Sequence, residues 1–391
     1  MQDAYLVAGL RTAIGKAKKG GFRNTRSDDL AVTVIQELVR QVPGLEPRQV
    51  DDVIVGTAVP EAEQGLQMAR WIALRSLGIE VPGVTINRYC GSGLEAIALA
   101  SAKISSGMAD CIVAGGAESM SLVPTMGWKT APNYSLADEH AEYFLGMGLT
   151  AEEVAREYHI TREESDAFAF QSHQRALAAM AAGYFGEEIV PVQVQEVTVE
   201  KDRRIARHYV VSTDEGPRSD TSMEALSKLP PVFRQEGQVT AGNSSQTSDG
   251  AAFFVLLSDA MVKKLNVKPW ARLLTCVSAG VHPRIMGIGP VEAVPRALQR
   301  AGLKLHDVGI IELNEAFACQ ALAVMRSLDL DPDRVNPNGG AVALGHPLGC
   351  TGAILTLKAI REARRRKERY ALVTACIGGG QGIAGIYEVF S

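Results

Sequence analysis

The order of secondary-structure signals in this chain is written twice, and a chain that repeats an α/β unit must stack two similar halves around a shared core. Helical periodicity over residues 29–40 leads to the buried strand pattern Asp52-Val53-Ile54-Val55-Gly56, a second strand at 84–87, a small-residue helix running to Lys103, and the apolar strand Asp110-Cys111-Ile112-Val113-Ala114-Gly115-Gly116. The same signals return as a helix at 290–301, a strand at 308–313, a glycine-rich turn at 336–345, a helix at 351–360 and a strand at 370–376. Leu45-Glu46-Pro47-Arg48-Gln49-Val50 before one strand is echoed by Leu303-Lys304-Leu305-His306-Asp307-Val308 before the other. In this register Cys90 falls opposite His346, and Gly116 opposite Cys376. Two halves packed about a pseudo-twofold axis bring those turns into one crevice at the strand ends, where open α/β sheets bind ligands.

Residues 119–247 break the pattern with prolines, a helical stretch at 150–182, a largely alternating stretch at 190–199 and charged loops. They read as an inserted loop domain that covers a substrate. The buried pattern Ala251-Ala252-Phe253-Phe254-Val255-Leu256-Leu257 then completes the first half. The expected organisation is 1–118 plus 248–270 for the N-terminal half, 119–247 for the insert and 271–391 for the C-terminal half.

With 391 residues, 46% hydrophobic and 21% charged, the chain is long enough for two or three packed domains. A net charge of −4 leaves no basic surplus for a phosphate backbone, so nucleic acid is not an expected partner. The cysteines at 90, 111, 276, 319, 350 and 376 lie mostly in apolar or glycine-rich segments without metal-ligand spacing, the usage of free thiols in a reducing compartment. No stretch reaches the roughly 20 apolar residues of a membrane span, and a cytoplasmic protein is expected.

Cys90 ends a β-branched run and enters a small-residue helix, a place where exposed N–H groups favour an anion and a thiol ionises below its free pKa of about 8.5. A buried structural cysteine is the plain alternative. His346 sits among glycines and a proline in Ala343-Leu344-Gly345-His346-Pro347-Leu348-Gly349, which fix an unusual turn, and imidazole is the base a thiol needs. Cys376 opens Ile377-Gly378-Gly379-Gly380-Gln381-Gly382, whose bare backbone N–H groups suit an oxyanion hole; no Lys-Ser/Thr follows to make a phosphate loop. Asn314 follows a buried strand as either a helix N-cap or a catalytic group. Ala241 to Gly250 is a small polar loop before a strand.

These segments together resemble the thiolase family: Asn87-Arg88-Tyr89-Cys90-Gly91-Ser92-Gly93, Ala241-Gly242-Asn243-Ser244-Ser245, Asn314-Glu315-Ala316-Phe317, Gly345-His346-Pro347-Leu348-Gly349 and Cys376-Ile377-Gly378-Gly379-Gly380. The resemblance runs from Arg11 to the C-terminus. It implies an α/β protein of duplicated thiolase fold, a five-layered α/β/α/β/α core with a loop domain over the coenzyme A site. It also implies that Cys90 is the acylated nucleophile, that His346 activates it and that Cys376 moves a proton at C2 of the acetyl unit. Asn314 is implied to hold a water that forms one oxyanion hole with His346, and the N–H groups of Cys90 and Gly378 to form the other. Two thiols suit this chemistry, because one carries the acyl group while the other handles an enolate proton. Implied CoA contacts are Ser245 and Ala241 to the pantetheine, Met147 and Phe317 along its tunnel and Arg218 towards the adenosine end.

The implied reaction is thiolytic cleavage of a 3-ketoacyl-CoA to acetyl-CoA and a shortened acyl-CoA, as in fatty acid β-oxidation, reversible as a Claisen condensation. CoA is a cosubstrate, and neither a metal nor a nucleotide redox cofactor is expected. Short-chain acetoacetyl-CoA thiolases carry a histidine before the Met-Gly of the loop domain, whereas Gly146 stands here, which favours the degradative subtype over condensation of two acetyl-CoA. Cys376 separates the chain from ketoacyl synthases, which resemble it but use a second histidine there. Occupied catalytic positions argue against a non-catalytic lipid-binding protein. Family members are typically homodimers or dimers of dimers, some with a multifunctional β-oxidation subunit.

Overall fold

The computed structural model describes residues 2–390. Its strands are β1 (Ala4–Arg11), β2 (Gly15–Lys16), β3 (Asp52–Gly56), β4 (Gly83–Ile86), β5 (Cys111–Ser119), β6 (Val192–Glu200), β7 (Arg203–Val211), β8 (Ser248–Ser258), β9 (Ala271–Gly280), β10 (Ile310–Leu313), β11 (Tyr370–Ile377) and β12 (Gln381–Val389). All except β6 and β7 belong to one hydrogen-bonded path, β10-β11-β12-β9-β1-β8-β5-β3-β4, with β2 on β8. The path is two sheets joined through a short ladder, because β1 and β9 share only the pairs Tyr5–Arg272 and Leu6–Ala271.

The repeat in the sequence reappears strand for strand. β3 is parallel to β5, and β5, β8 and β1 continue antiparallel; β10 is parallel to β11, and β11, β12 and β9 continue antiparallel. β4, parallel to β3, has as its counterpart a single parallel bridge between Ile311 and Val335. Both faces of each sheet are covered, so strand alternation sorts apolar side chains between two layers. Ile54, Ile112 and Phe254 face the middle of the molecule, while Val53, Val113 and Phe253 face the outer helix Ser27–Gln41. On the second sheet Val373 and Ile383 turn inward, and Leu372 and Ile386 turn towards the helix Gly289–Ala301. The middle layer is the helix pair Ser92–Ser105 and Leu348–Arg366, which completes the five layers.

Those two helices cross with backbones nearly touching. A Cβ on Gly352 would lie 2.3 Å from the Leu94 nitrogen, and one on Gly93 would lie 2.8 Å from the Ala353 nitrogen. Between β5 and β8 the chain leaves the core. The stretch expected as one helix is two, Met147–Glu157 and Arg162–Ala181, because Thr161 and Glu164 form a capping box that starts the second. The alternating stretch is one arm of the β6–β7 hairpin. Arg11, fully buried at the end of β1, ties this excursion to the core, donating from Nε to Glu188 at 2.7 Å and from Nη1 and Nη2 to Asp214 at 2.7 and 2.9 Å.

Gly352→Ala is expected to lose about 1–3 kcal/mol in chemical denaturation, because the added methyl meets backbone that cannot yield. Gly280→Ala, where a Cβ meets nothing within 4 Å, is expected to unfold with the parent. Equal behaviour of the two variants would contradict the close crossing.

Candidate active site

Each half delivers one candidate side chain from a kink just ahead of its central helix. Tyr89, before Cys90, takes a φ of +43°, and Gly345, before His346, takes +111°. The first value is strained for a residue with a Cβ and is held by the surrounding bonds. Tyr89 N donates to Asn87 Oδ1 at 2.7 Å, Arg88 N donates to Ser92 Oγ at 2.8 Å, and Ser92 Oγ donates to the Tyr89 carbonyl at 2.7 Å. Cys90 lies in the short 3-10 turn Tyr89–Gly91, not in the first turn of the α-helix behind it.

His346 is buried between two partners. Its Nδ1 is 2.6 Å from Thr351 Oγ1, and Thr351 Oγ1 donates to the Pro347 carbonyl at 3.1 Å. A hydroxyl has one proton, so Thr351 receives Nδ1–H and the ring's Nε2 keeps its lone pair. Asn314 Nδ2 lies 3.3 Å from that Nε2, on the matching side of the ring. Asn314 is fully buried and is not a helix cap, since the next helix begins at Ala318. Its Oδ1 has no partner within the protein.

The thiols correct one expectation. Cys90 is only partly exposed as a residue, and burial of its sulfur pushes the thiol up to about 11; the N–H groups of Gly378 and of Cys90 itself pull the other way without winning. Burial alone drives His346 down to about 4. The resting pair is therefore a neutral thiol and a neutral imidazole, not a pre-formed thiolate. Cys376, buried at the end of β11, is pushed up further by burial and by its neighbour Cys90. Gly378 follows it, and a Cβ there would sit 3.4 Å from Met147 Sδ, so Met147 covers the turn whose N–H reaches Cys90.

The loop 241–248 is a strap across the mouth rather than a plain turn. Ser245 N donates to the Ala316 carbonyl at 3.0 Å, Ala318 N donates to the Asn243 carbonyl at 2.9 Å and His346 N donates to the Gln246 carbonyl at 3.0 Å. Met147 and Phe317 share an apolar cluster with Cys376, and Ala241 is exposed at the strap's start. Arg218 stands apart, solvent-facing in an ion pair with Asp220 at 2.8 Å. Among the described residues no group of three or more His, Cys, Asp or Glu is arranged to hold a metal ion. No helix among them is long and apolar enough to cross a membrane.

The domain description "Thiolase, N-terminal domain" matches residues 4–260, and "Thiolase, C-terminal domain" matches residues 267–389. The chain belongs to the thiolase family. It is 52% identical over 391 residues to a 3-ketoacyl-CoA thiolase of Bacillus subtilis (strain 168), covering 100% of both chains. It is 45% identical over 397 residues to an acetyl-CoA acetyltransferase of Pseudomonas aeruginosa, covering 98% of each. The crystal structure of the Bacillus anthracis acetyl-CoA acetyltransferase matches with a TM-score of 0.90 at 39% identity, over 100% of this chain and 99% of that one. As a thiolase the chain is an acyltransferase, and thiolases use CoA-bound substrates.

Three residues of this thiolase site escape a reading of the sequence. Thr351 looks like any helix residue until His346 turns onto it. Glu118 is fully buried and accepts the N–H groups of Ala58 and Gly349 at 2.7 Å each, tying the loop after β3 to the helix behind His346. Phe233 meets Phe317 edge-on with centroids 6.2 Å apart, widening the aromatic wall beside Met147. The one available signal was the Glu118 position, an acid in an otherwise apolar strand.

In the free enzyme, iodoacetamide is expected to label Cys90 before Cys111, Cys319 and Cys350, which are buried with higher thiols. The Cys90 rate is expected to keep climbing with pH through neutrality towards about 11, since the thiolate forms only above the raised value. A plateau below pH 8 would mean that the turn ionises the thiol in advance.

Proposed function

We propose that this thiolase cleaves 3-ketoacyl-CoA in the degradative direction through an acyl-Cys90 intermediate. The observation that carries the reading is the meeting of two thiols from opposite halves, Cys90 receiving the Gly378 N–H and Cys376 close enough to feel its charge. His346 Nε2 takes the Cys90 proton as the sulfur attacks C3 of the substrate. The resulting oxyanion is held by the N–H groups of Cys90 and Gly378, donors whose removal costs roughly 3 kcal/mol each in comparable sites. The C2–C3 bond breaks, Cys376 delivers a proton to C2, and acetyl-CoA leaves. His346 with the Asn314 side chain and a bound water holds the enolate oxygen during that step. Free CoA then gives its thiol proton to the Cys376 thiolate and attacks the acyl-Cys90 thioester, the shortened chain leaves on CoA, and the freed Cys90 sulfur takes its proton back from His346. The reverse sequence is the Claisen condensation.

Ser245 and Ala241 on the strap, with Met147 and Phe317 below it, are assigned to the pantetheine, and Arg218 to the adenosine end. Gly146 supports the longer acyl chain, because a Cβ there would meet nothing within 4 Å. The name of the Bacillus subtilis relative favours the same direction, while the acetyl-CoA acetyltransferase relatives favour acetoacetyl-CoA chemistry as the second reading. A homodimer through β4 goes with this assignment. β4 is the free edge of its sheet, and its own Val84, with Trp71 (49% exposed) and Leu66 (86% exposed) nearby, leaves apolar surface uncovered there.

Cys376→Ser is expected to accept an acyl group on Cys90, seen by mass spectrometry, yet to lose carbon–carbon cleavage; normal thiolysis would remove Cys376 from the mechanism. Across 3-ketoacyl-CoA substrates from four carbons upward, kcat/KM is expected to hold or rise with length, and activity confined to four carbons would select the acetoacetyl-CoA reading. Val84→Lys is expected to shift the parental dimer to a monomer in light scattering.

A further inference from the structure

Lys358 is a buried charge that the reaction above does not use. It lies on the helix behind His346, only 3% exposed, and its Nζ donates to Glu312 Oε2 at 2.8 Å and to the Gly339 carbonyl at 2.6 Å. An ammonium group has three N–H donors, so one is left over. A small void of about 10 Å³, room for the centre of one water, is lined by Lys358, Thr351 and Asn314 among others. Asn314 Oδ1 is buried with no protein partner, and Thr351 Oγ1, already accepting Nδ1–H and donating to Pro347, has one lone pair free.

We infer that this void holds one ordered water that accepts from Lys358 and donates to Asn314 and Thr351, making Lys358 a positioning residue for His346. The balance at the water itself is complete. The water receives one hydrogen bond and gives two, which is the usual count for a buried water. The consequence follows from the two-fold ambiguity of an amide. With Oδ1 held on the water, Asn314 must turn Nδ2 towards His346 Nε2, which matches a ring nitrogen carrying a lone pair. The reversed amide would set Oδ1 against Nε2 and favour the ring protonated there, a tautomer that cannot take a thiol proton. Lys358 thus holds, through three hydrogen bonds, the Asn314 orientation that agrees with the proton-accepting tautomer Thr351 sets on His346. Its charge is held in place by Glu312 beside it, with Glu315 and Glu362 also bearing on Glu312.

This inference rests on the role given to His346 and Asn314 above. The test uses the full-length enzyme with Lys358→Met, and Glu312→Gln/Lys358→Met as the companion that does not leave Glu312 an unpaired buried carboxylate. The double variant is expected to melt with the parent, keep its KM for CoA and lose about tenfold in kcat, the size of effect seen when the partner that orients an active-site group is removed. A merely structural lysine would lower the melting temperature and leave kcat alone. A crystal structure of the parent is expected to place a water within hydrogen-bonding distance of Lys358 Nζ and Asn314 Oδ1, a readout that does not depend on any variant folding. Parental kcat in the double variant, or no water in that void, overturns the inference. His346→Ala run alongside separates the two ideas: if it is inactive while the double variant is normal, Lys358 alone is misassigned, and if it is active, the role of His346 falls first.

Discussion

The arrangement depends on how closely two helices can approach. Ordinary side chains keep helix axes 8–10 Å apart, but at the crossing of Ser92–Ser105 with Leu348–Arg366 the contact is between Gly93, Gly352 and the facing backbone. That contact sets the distance between the halves at the level of the two kinks that carry Cys90 and His346. Glu118 locks the same level from the side, holding Gly349 and Ala58 through one carboxylate oxygen. Once the helix starts are fixed, the strand ends follow. β10 delivers Asn314 beside His346, and β11 delivers Cys376 beside Cys90. No loop has to search for these positions, because each lies within a few residues of a packed element.

The electrostatic design follows from the same packing. Burial raises the thiol and lowers the imidazole, so the site at rest holds no charge on either group. In the proposed reaction charge appears only when a substrate carbonyl is attacked beside the Cys90 sulfur, on which the N–H groups of Cys90 and Gly378 already bear. Donors that meet a charge only in the transition state lower the barrier without tightening the ground state. A pre-formed thiolate would bind those same donors before substrate arrived and blunt the difference. The correction to the expected acidic Cys90 thus makes the proposed chemistry more coherent.

What the sequence made legible divides along a physical line. The duplication could be read because hydrophobic period and the order of elements are local properties, and Cys90, His346 and Cys376 stood out because each breaks an apolar or glycine-rich run. The break between the helices ending at Glu157 and starting at Arg162 was hidden because residues on both sides keep helical periodicity, and it is made by His159, at a φ of +53°, and by the pairing of Thr161 with Glu164. The raised Cys90 thiol was hidden for a different reason. Its burial involves side chains such as Ile377, which lies against the neighbouring Gly91 from nearly 300 residues away in the chain. Thr351 and Lys358 sit on one helix as unremarkable residues, and they acquire meaning only when Asn314 arrives from another strand.

The two halves have the same fold but no longer the same task, and the register between them shows where they parted. The inward-facing residues align Ile112 of β5 with Ala371 of β11, one residue off the register read from the sequence, so Glu118 at the end of β5 lies opposite Ile377, just before Gly378. In the first half the position carries a buried carboxylate whose four acceptor contacts, to Ala58, Gly349, Gln64 and Thr57, make it a clamp. In the second half the apolar Ile377 stands there instead, and the bare backbone N–H of the next residue, Gly378, reaches the Cys90 sulfur. A carboxylate at Gly378 would fill the space beneath Met147 and repel every anion the proposed reaction forms. A glycine at Glu118 would leave the Gly349 N–H unmet beneath His346. Each half therefore needs the residue that the other could not tolerate, which explains why a duplicated fold carries a single site at its axis.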